Sequence, residues 1–244
     1  MPVRAVIFDL GGTLIDWPDY DEDLERRWGL SYDYLVSTLP RNDWPDRETY
    51  VRAMRDAENA HWLQVRNAQT SSTPTALVSN GFRRLGRQAS EEELLVALDG
   101  YGRAIYGWAV VFPDACETLM ELRRRGYRIG LLSNTWWAAD WHNADIAAHG
   151  LAPLLDKLAY TSNLPHSKPH ASVFLHVAER LKVEPGECVM VGDRMIDDIS
   201  GALGVGMRAV WRKNDYPWPR PEHITPTAEI TNLAELLPLL QEWQ

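Results

Sequence analysis

The stretch Val3-Arg4-Ala5-Val6-Ile7-Phe8-Asp9-Leu10-Gly11-Gly12-Thr13-Leu14 decides the fold. Residues 3–8 form an apolar run of strand length, broken only at Arg4. Such runs suit strands covered on both faces, as in a parallel sheet. Asp9 follows at once, where a strand end would hold it rigidly, and Gly11 and Gly12 let the backbone turn tightly and approach a ligand. Read alone, Asp9 is as readily a residue that caps the turn.

Outward from this stretch, similar short runs recur at 127–132, 158–160, 188–191 and 207–211. Amphipathic helices are predicted between them. Pro113 opens one that carries Ala115, Leu119 and Leu122 at helical spacing and closes at Gly126. Pro169 opens another, with Val173, Phe174, Val177, Ala178 and Leu181 on one stripe, and a last one carries Leu233, Leu236, Leu237 and Leu240. Strands alternating with helices predict right-handed crossovers and an α/β fold with a doubly wound, Rossmann-like parallel sheet.

Residues 16–108 break this alternation. They hold little strand signal but several helix-like stretches, punctuated by Pro40, Pro45, Pro74 and Gly86, and Ser90 with Glu93 makes a capping box. The expected organisation is therefore a core of residues 1–15 and 110–244, with an inserted α-helical bundle over 16–109. Ligands of doubly wound sheets bind beyond the carboxyl ends of the strands. An insertion leaving from the end of the first strand would cover such a site as a cap.

With 45% apolar and 24% charged residues the composition is that of a globular protein with ample core. The net charge of −9 argues against a grip on a nucleic-acid backbone, which needs a basic surface. A small anionic substrate is compatible with it, since helix termini and a metal override the global sign locally. No apolar run reaches membrane-spanning length and no leader precedes the first run, so no membrane partner is expected and a cytoplasmic setting is. Cys116 and Cys188 lie in apolar patterns without metal or redox spacing.

Four local features stand at expected strand ends. Asp9 to Leu14 is the first. Ser133-Asn134-Thr135 is the second, with a hydroxyl and backbone N–H groups suited to phosphate oxygens. Lys168-Pro169 is the third, where an ammonium at a helix start neutralises an anion. Gly192-Asp193-Arg194-Met195-Ile196-Asp197-Asp198 is the fourth, with carboxylates of the kind Mg²⁺ prefers. Each has a plain structural reading when taken singly: a turn, a solvated lysine, acids at a helix start.

Taken together and in this order, the four features resemble the haloacid dehalogenase-like hydrolase superfamily, and the resemblance spans essentially the whole chain. It implies that Asp9 attacks phosphorus to form an aspartyl-phosphate. It implies that Ser133 and Lys168 bind the transferring phosphoryl group, with Gly12 and Asn134 beside the substrate. Asp193 and Asp198 would place Mg²⁺, with Asp9 and the Gly11 carbonyl completing the set. Asp197 is expected to support rather than ligate.

One position departs from the pattern. Phosphatases of the superfamily carry a second Asp two places after the nucleophile as general acid and base, and here Gly11 stands there. Such catalysis contributes about 10²–10⁴-fold. Three readings follow: a phosphatase of a small phosphorylated metabolite, with a good leaving group or a proton from His166 or an acid in 16–25; a metal-free 2-haloacid dehalogenase; and a weakly active domain that binds Mg²⁺ and phosphate. The first ranks highest, because some members of the superfamily that resemble this motif with Gly there are regarded as phosphatases, and the second stands well behind it because Gly192-Asp193 with Asp198 points to a cation. Trp136 and Trp137 are expected either to line the pocket or to pack. His142, His149, His170 and His176, the acidic run Asp19, Asp21, Glu22, Asp23 and Glu25, and the cluster Arg123-Arg124-Arg125 need no ligand.

Overall fold

The structure, a computed structural model, describes residues 1–20 and 23–244. Strand β1 (Ala5–Phe8) leads into a short antiparallel ribbon of β2 (Ile15–Asp16) and β3 (Val110–Val111). Between the two ribbon strands run four helices: α1 (Leu24–Thr38), α2 (Arg47–Ala68), α3 (Pro74–Arg84) and α4 (Glu91–Ile105). The chain continues through α5 (Ala115–Arg124), β4 (Arg128–Ser133), α6 (Ala139–Ala148), β5 (Lys157–Tyr160), α7 (Ala171–Leu181) and β6 (Cys188–Gly192). It then forms a π-helical turn (Met195–Ser200), α8 (Gly201–Gly204), β7 (Arg208–Arg212), β8 (Ala228–Ile230) and α9 (Leu236–Glu242).

The six-stranded sheet has the order β5-β4-β1-β6-β7-β8, with every pairing parallel. From β1 the chain builds outward through β4 and β5, then crosses back to β6 and builds the other way. The strand order thus reverses beside the carboxyl end of β1, where Asp9 sits, and this is the crevice in which doubly wound sheets hold ligands.

Alternate strand residues feed two cores. Val6, Phe8, Ile129, Leu131, Val189, Val191 and Val210 pack against Leu119 and Leu122 of α5 and Leu236 and Leu240 of α9. Ala5, Ile7, Leu132, Met190 and Ala209 pack on Val173, Phe174, Val177 and Leu181 of α7. Burial on both faces is why these strands read as continuous apolar runs rather than alternating ones.

The expected boundaries shift by a residue or two. Val3 and Arg4 lie outside β1, their N–H groups bonded to the Trp243 and Glu187 carbonyls at 3.3 and 2.8 Å. Tyr127 lies outside β4, just after the turn that closes α5: Gly126 takes a φ of 83°, and the Tyr127 N–H returns to the Leu122 carbonyl at 3.1 Å. The run at 207–211 likewise begins at Arg208. The helices expected to open at Pro113 and Pro169 start at Ala115 and Ala171, each after a turn. Both cysteines are free thiols, Cys188 buried and Cys116 half-buried.

The helices of 24–105 have a core of their own, in which Trp28, Tyr50, Met54, Phe82 and Tyr101 are buried together. Ser90 and Glu93 form the expected capping box, with bonds of 3.2 and 2.8 Å. Trp136 and Trp137, from the loop after β4, are buried in this same cluster. They join the helical unit to the sheet directly beside the second strand-end feature. Among the described residues no helix is long and apolar enough to cross a membrane.

Candidate active site

Asp9 is buried at the end of β1, and its N–H is tied to the Val191 carbonyl of β6 at 2.9 Å. Lys168 reaches it from the segment before α7. The Lys168 ammonium donates to Asp9 Oδ1 at 2.6 Å, to Asp198 Oδ1 at 2.6 Å and to the Leu132 carbonyl at 2.9 Å. Three donors thus meet three acceptors, which locks a side chain that is 1% exposed.

Asn134 holds the lysine from behind. Its amide donates to the Lys168 carbonyl at 3.0 Å and accepts from the Lys168 N–H at 2.8 Å. The side chain read as a substrate contact is therefore engaged with the backbone of Lys168. Ser133, the last residue of β4, is buried beside it. Thr135 organises the next turn, its hydroxyl accepting from the Trp137 N–H and bonded to His142 Nε2, both at 2.9 Å.

The fourth feature closes the cluster. One carboxylate oxygen from each of Asp9, Asp193 and Asp198 lies within 4.8 Å of the others, and all three side chains are buried. Asp198 Oδ2 accepts the Arg194 N–H at 3.0 Å. Asp193 Oδ2 accepts from Asn214 Nδ2 at 2.9 Å and Trp218 Nε1 at 3.1 Å, while Asp193 Oδ1 is buried with no partner among the described residues. Asp197 pairs instead with Arg194, at 3.4 Å. Two glycines make room. A Cβ on Gly12, whose φ is 77°, would stand 2.6 Å from Asp193 Oδ2, and a Cβ on Gly192 would collide with the Asp198 carboxylate.

The electrostatics follow from burial. Desolvation raises the Asp9 carboxyl from 3.8 to about 7, against the pull of Lys168, and the fields of Asp198 and Asp193 raise it further. Asp193 rises to about 6, from desolvation and the Asp198 charge. Burial alone would depress Lys168, but Asp198 and Asp9 outweigh it and hold the ammonium charged. Four carboxylates, Asp9, Asp193, Asp197 and Asp198, face the Lys168 ammonium and the Arg194 guanidinium, which leaves two negative charges uncompensated when all are ionised. Protons or a divalent cation must offset them. Hard oxygen donors with one unpartnered buried oxygen fit such a cation.

Gly11 lies under an indole. A Cβ placed there would be 3.1 Å from Trp17 Cζ3. Trp17 donates to Asp145 Oδ2 at 3.2 Å and meets Trp137 edge-on, with ring centroids 5.2 Å apart. Of the proton sources considered for this position, His166 stacks on His170 at 3.7 Å and lies 3.3 Å from the Ser172 hydroxyl. Asp16 accepts the Tyr216 hydroxyl. Asp23 is paired with Arg26, whereas Asp21 and Glu22 lie outside the described residues.

Sequence reading missed two groups. Glu58 of α2 is buried and accepts from Trp28 at 2.9 Å, Tyr20 at 3.0 Å and Trp136 at 3.1 Å, and burial raises its carboxyl. The strap after β7, with Asn214 and Trp218 on Asp193, is the other. Neither carries a spacing signal, because each partner is distant in the chain.

The sheet and its strand-end cluster define a Rossmann-like α/β protein with a buried site built on carboxylates and a lysine. The family profile for haloacid dehalogenase-like hydrolases matches residues 3–206, and the chain belongs to that family. It is 29% identical over 243 residues to a glyceraldehyde 3-phosphate phosphatase of Methanopyrus kandleri, covering 98% of both chains. It is 33% identical over 248 residues to an N-acylneuraminate-9-phosphatase of Rattus norvegicus, covering 98% of this chain and 94% of that one. Similar solved structures include a 2-haloacid dehalogenase of Pseudomonas syringae pv. Tomato, with a TM-score of 0.72, 26% identity, and coverage of 99% and 100%. An HAD phosphatase of Thermococcus onnurineus has a TM-score of 0.62, 28% identity and 98% coverage of both chains.

Proposed function

We propose that this chain is a Mg²⁺-dependent phosphohydrolase that acts on a small phosphorylated metabolite in the cytoplasm through an aspartyl-phosphate on Asp9. The observation that carries this reading is the buried excess of two negative charges among Asp9, Asp193, Asp198 and Lys168. A site whose excess charge a divalent cation can offset suits a phosphate dianion better than a neutral carbon–halogen bond. The phosphatase names of the full-length relatives support the same class.

In this reading Asp9 is the nucleophile, and Lys168 binds a phosphoryl oxygen and lowers the repulsion between that group and the carboxylate. Ser133 and the backbone around Gly12 bind further oxygens, and Asn134 positions Lys168. Asp9, Asp193, Asp198 and the Gly11 carbonyl would hold Mg²⁺, which when bound screens charge and orients the phosphate for in-line attack. Residues 16–109 form the cap over the core of 1–15 and 110–244, and its closure would exclude water from the site.

The dehalogenase reading draws on the fold similarity to the 2-haloacid enzyme and on Gly11. One assay separates the two. Wild type and Asp9→Asn are incubated with p-nitrophenyl phosphate and acetyl phosphate, with and without Mg²⁺, and with 2-haloacids. Phosphate release that needs Mg²⁺ and is lost in Asp9→Asn is expected. Halide release without metal would replace this reading with the second, and silence in every assay would leave a binding domain.

A further inference from the structure

The side chain that would continue from Gly11 meets Trp17. The position of a Cβ on Gly11 is 3.1 Å from Trp17 Cζ3 and 3.7 Å from Cε3, both on the six-membered ring. Trp17 is held in that pose from three sides. Its Nε1 is bonded to Asp145 at 3.2 Å, its ring meets Trp137 edge-on at 5.2 Å, and it meets His142 edge-on at 5.6 Å. Nε1 lies on the opposite edge of the indole from Cζ3, so the whole ring stands between Asp145 and Gly11.

The other titratable groups among the described residues near Trp17 are occupied. His142 Nε2 is 2.9 Å from the Thr135 hydroxyl, and burial lowers the ring to about 3, so it is neutral. Asp16 accepts the Tyr216 hydroxyl. The place of a general acid is thus taken by an aromatic wall.

We infer that the site is specific for activated phosphates, whose leaving group departs as a stable anion: acyl, enol and aryl phosphates rather than alkyl esters. This rests on the phosphohydrolase reading and narrows it. An Asp9 oxygen bonds to phosphorus while the bond from phosphorus to the leaving oxygen breaks. The electron pair leaves on that oxygen, which departs unprotonated. Water then adds to phosphorus, the bond to Asp9 breaks, Asp9 regains its carboxylate, one water proton stays on the released phosphate and the other passes to solvent. No acid or base among the described residues enters either step.

The test is a leaving-group series. kcat/KM is measured with Mg²⁺ for substituted phenyl phosphates whose phenol pKa spans about 5 to 10, with acetyl phosphate and an alkyl phosphate added. Charge left uncompensated on the departing oxygen predicts a fall on the order of fivefold to tenfold per unit of phenol pKa. The solvent deuterium effect should be near one. Trp17→Ala alone should keep the steep slope, whereas Trp17→Ala with Gly11→Asp, which clears the indole that a Gly11 Cβ would meet at 3.1 Å and supplies a carboxyl, should flatten it. A wild-type change of less than about threefold across the series, or ready turnover of the alkyl ester, would mean that some residue donates a proton and would overturn the inference while leaving the phosphohydrolase reading intact. No Mg²⁺-dependent phosphate release from any substrate would overturn both.

Discussion

Replacing Asp193 by Asn should stabilise the metal-free protein while destroying its response to Mg²⁺. Asp193 is 3% exposed, and burial together with the Asp198 charge raises its carboxyl from 3.8 to about 6. Above that pH its ionised form costs about 3 kcal/mol relative to an unfolded chain in which it titrates normally. Asparagine is isosteric, and its carbonyl can still accept from Asn214 and Trp218. The folded state holds the extra proton between 3.8 and about 6, so the aspartate loses stability as pH rises through that window. The Asn variant does not. In EDTA near about pH 8 the variant should therefore melt about 5–10 °C above wild type, and the gap should close on acidification towards about pH 4. Saturating Mg²⁺ should raise the melting temperature of wild type and leave the variant unmoved. A variant no more stable than wild type in EDTA, or a gap that ignores pH, would refute the claim that the cluster carries uncompensated charge.

Trp218→Phe and Asn214→Ala each remove a donor from Asp193 Oδ2. Calorimetric titration should show Mg²⁺ affinity reduced by about 10–100-fold, with near-normal kcat once metal is saturating. Gly12→Ala puts a Cβ at 2.6 Å from Asp193 Oδ2 on a backbone with φ of 77°. It should cost about 2–3 kcal/mol in denaturant unfolding and abolish Mg²⁺-induced stabilisation. His142, lowered from 6.5 to about 3 by burial, is neutral when folded and takes a proton when unfolded. Stability should fall as pH drops through that window, by up to about 1.4 kcal/mol per pH unit, and His142→Asn should remove this part of the slope in melts at graded pH.

Much of the fold was legible because its determinants are local. Burial on both faces leaves continuous apolar runs, so β1, β4, β5, β6 and β7 stand out, and helical spacing marks α5 and α7. The strands that escaped are β2, β3 and β8, of two, two and three residues, too short to show a period. The capping box at Ser90 was legible for the same local reason, since both of its bonds span three residues.

Residue order alone places Asp9, Ser133 and Asp193 at or just beyond strand ends, with Lys168 and Asp198 in the segments that follow, and so gathers them at one end of the sheet. Strand polarity and crossover handedness follow from the alternation of elements, and a parallel sheet brings all its carboxyl ends to the same side. What each group meets there depends on packing between distant segments. That packing bonded Asn134 to the backbone of Lys168 and set Lys168 between Asp9 and Asp198. It also brought Trp218 to Asp193 and laid Trp17 over Gly11. These contacts join positions far apart in the chain or turn on side-chain packing, and no periodicity encodes them. Gly11 shows the division most clearly. The sequence reveals that a carboxylate is missing, and the packing shows an indole in its place.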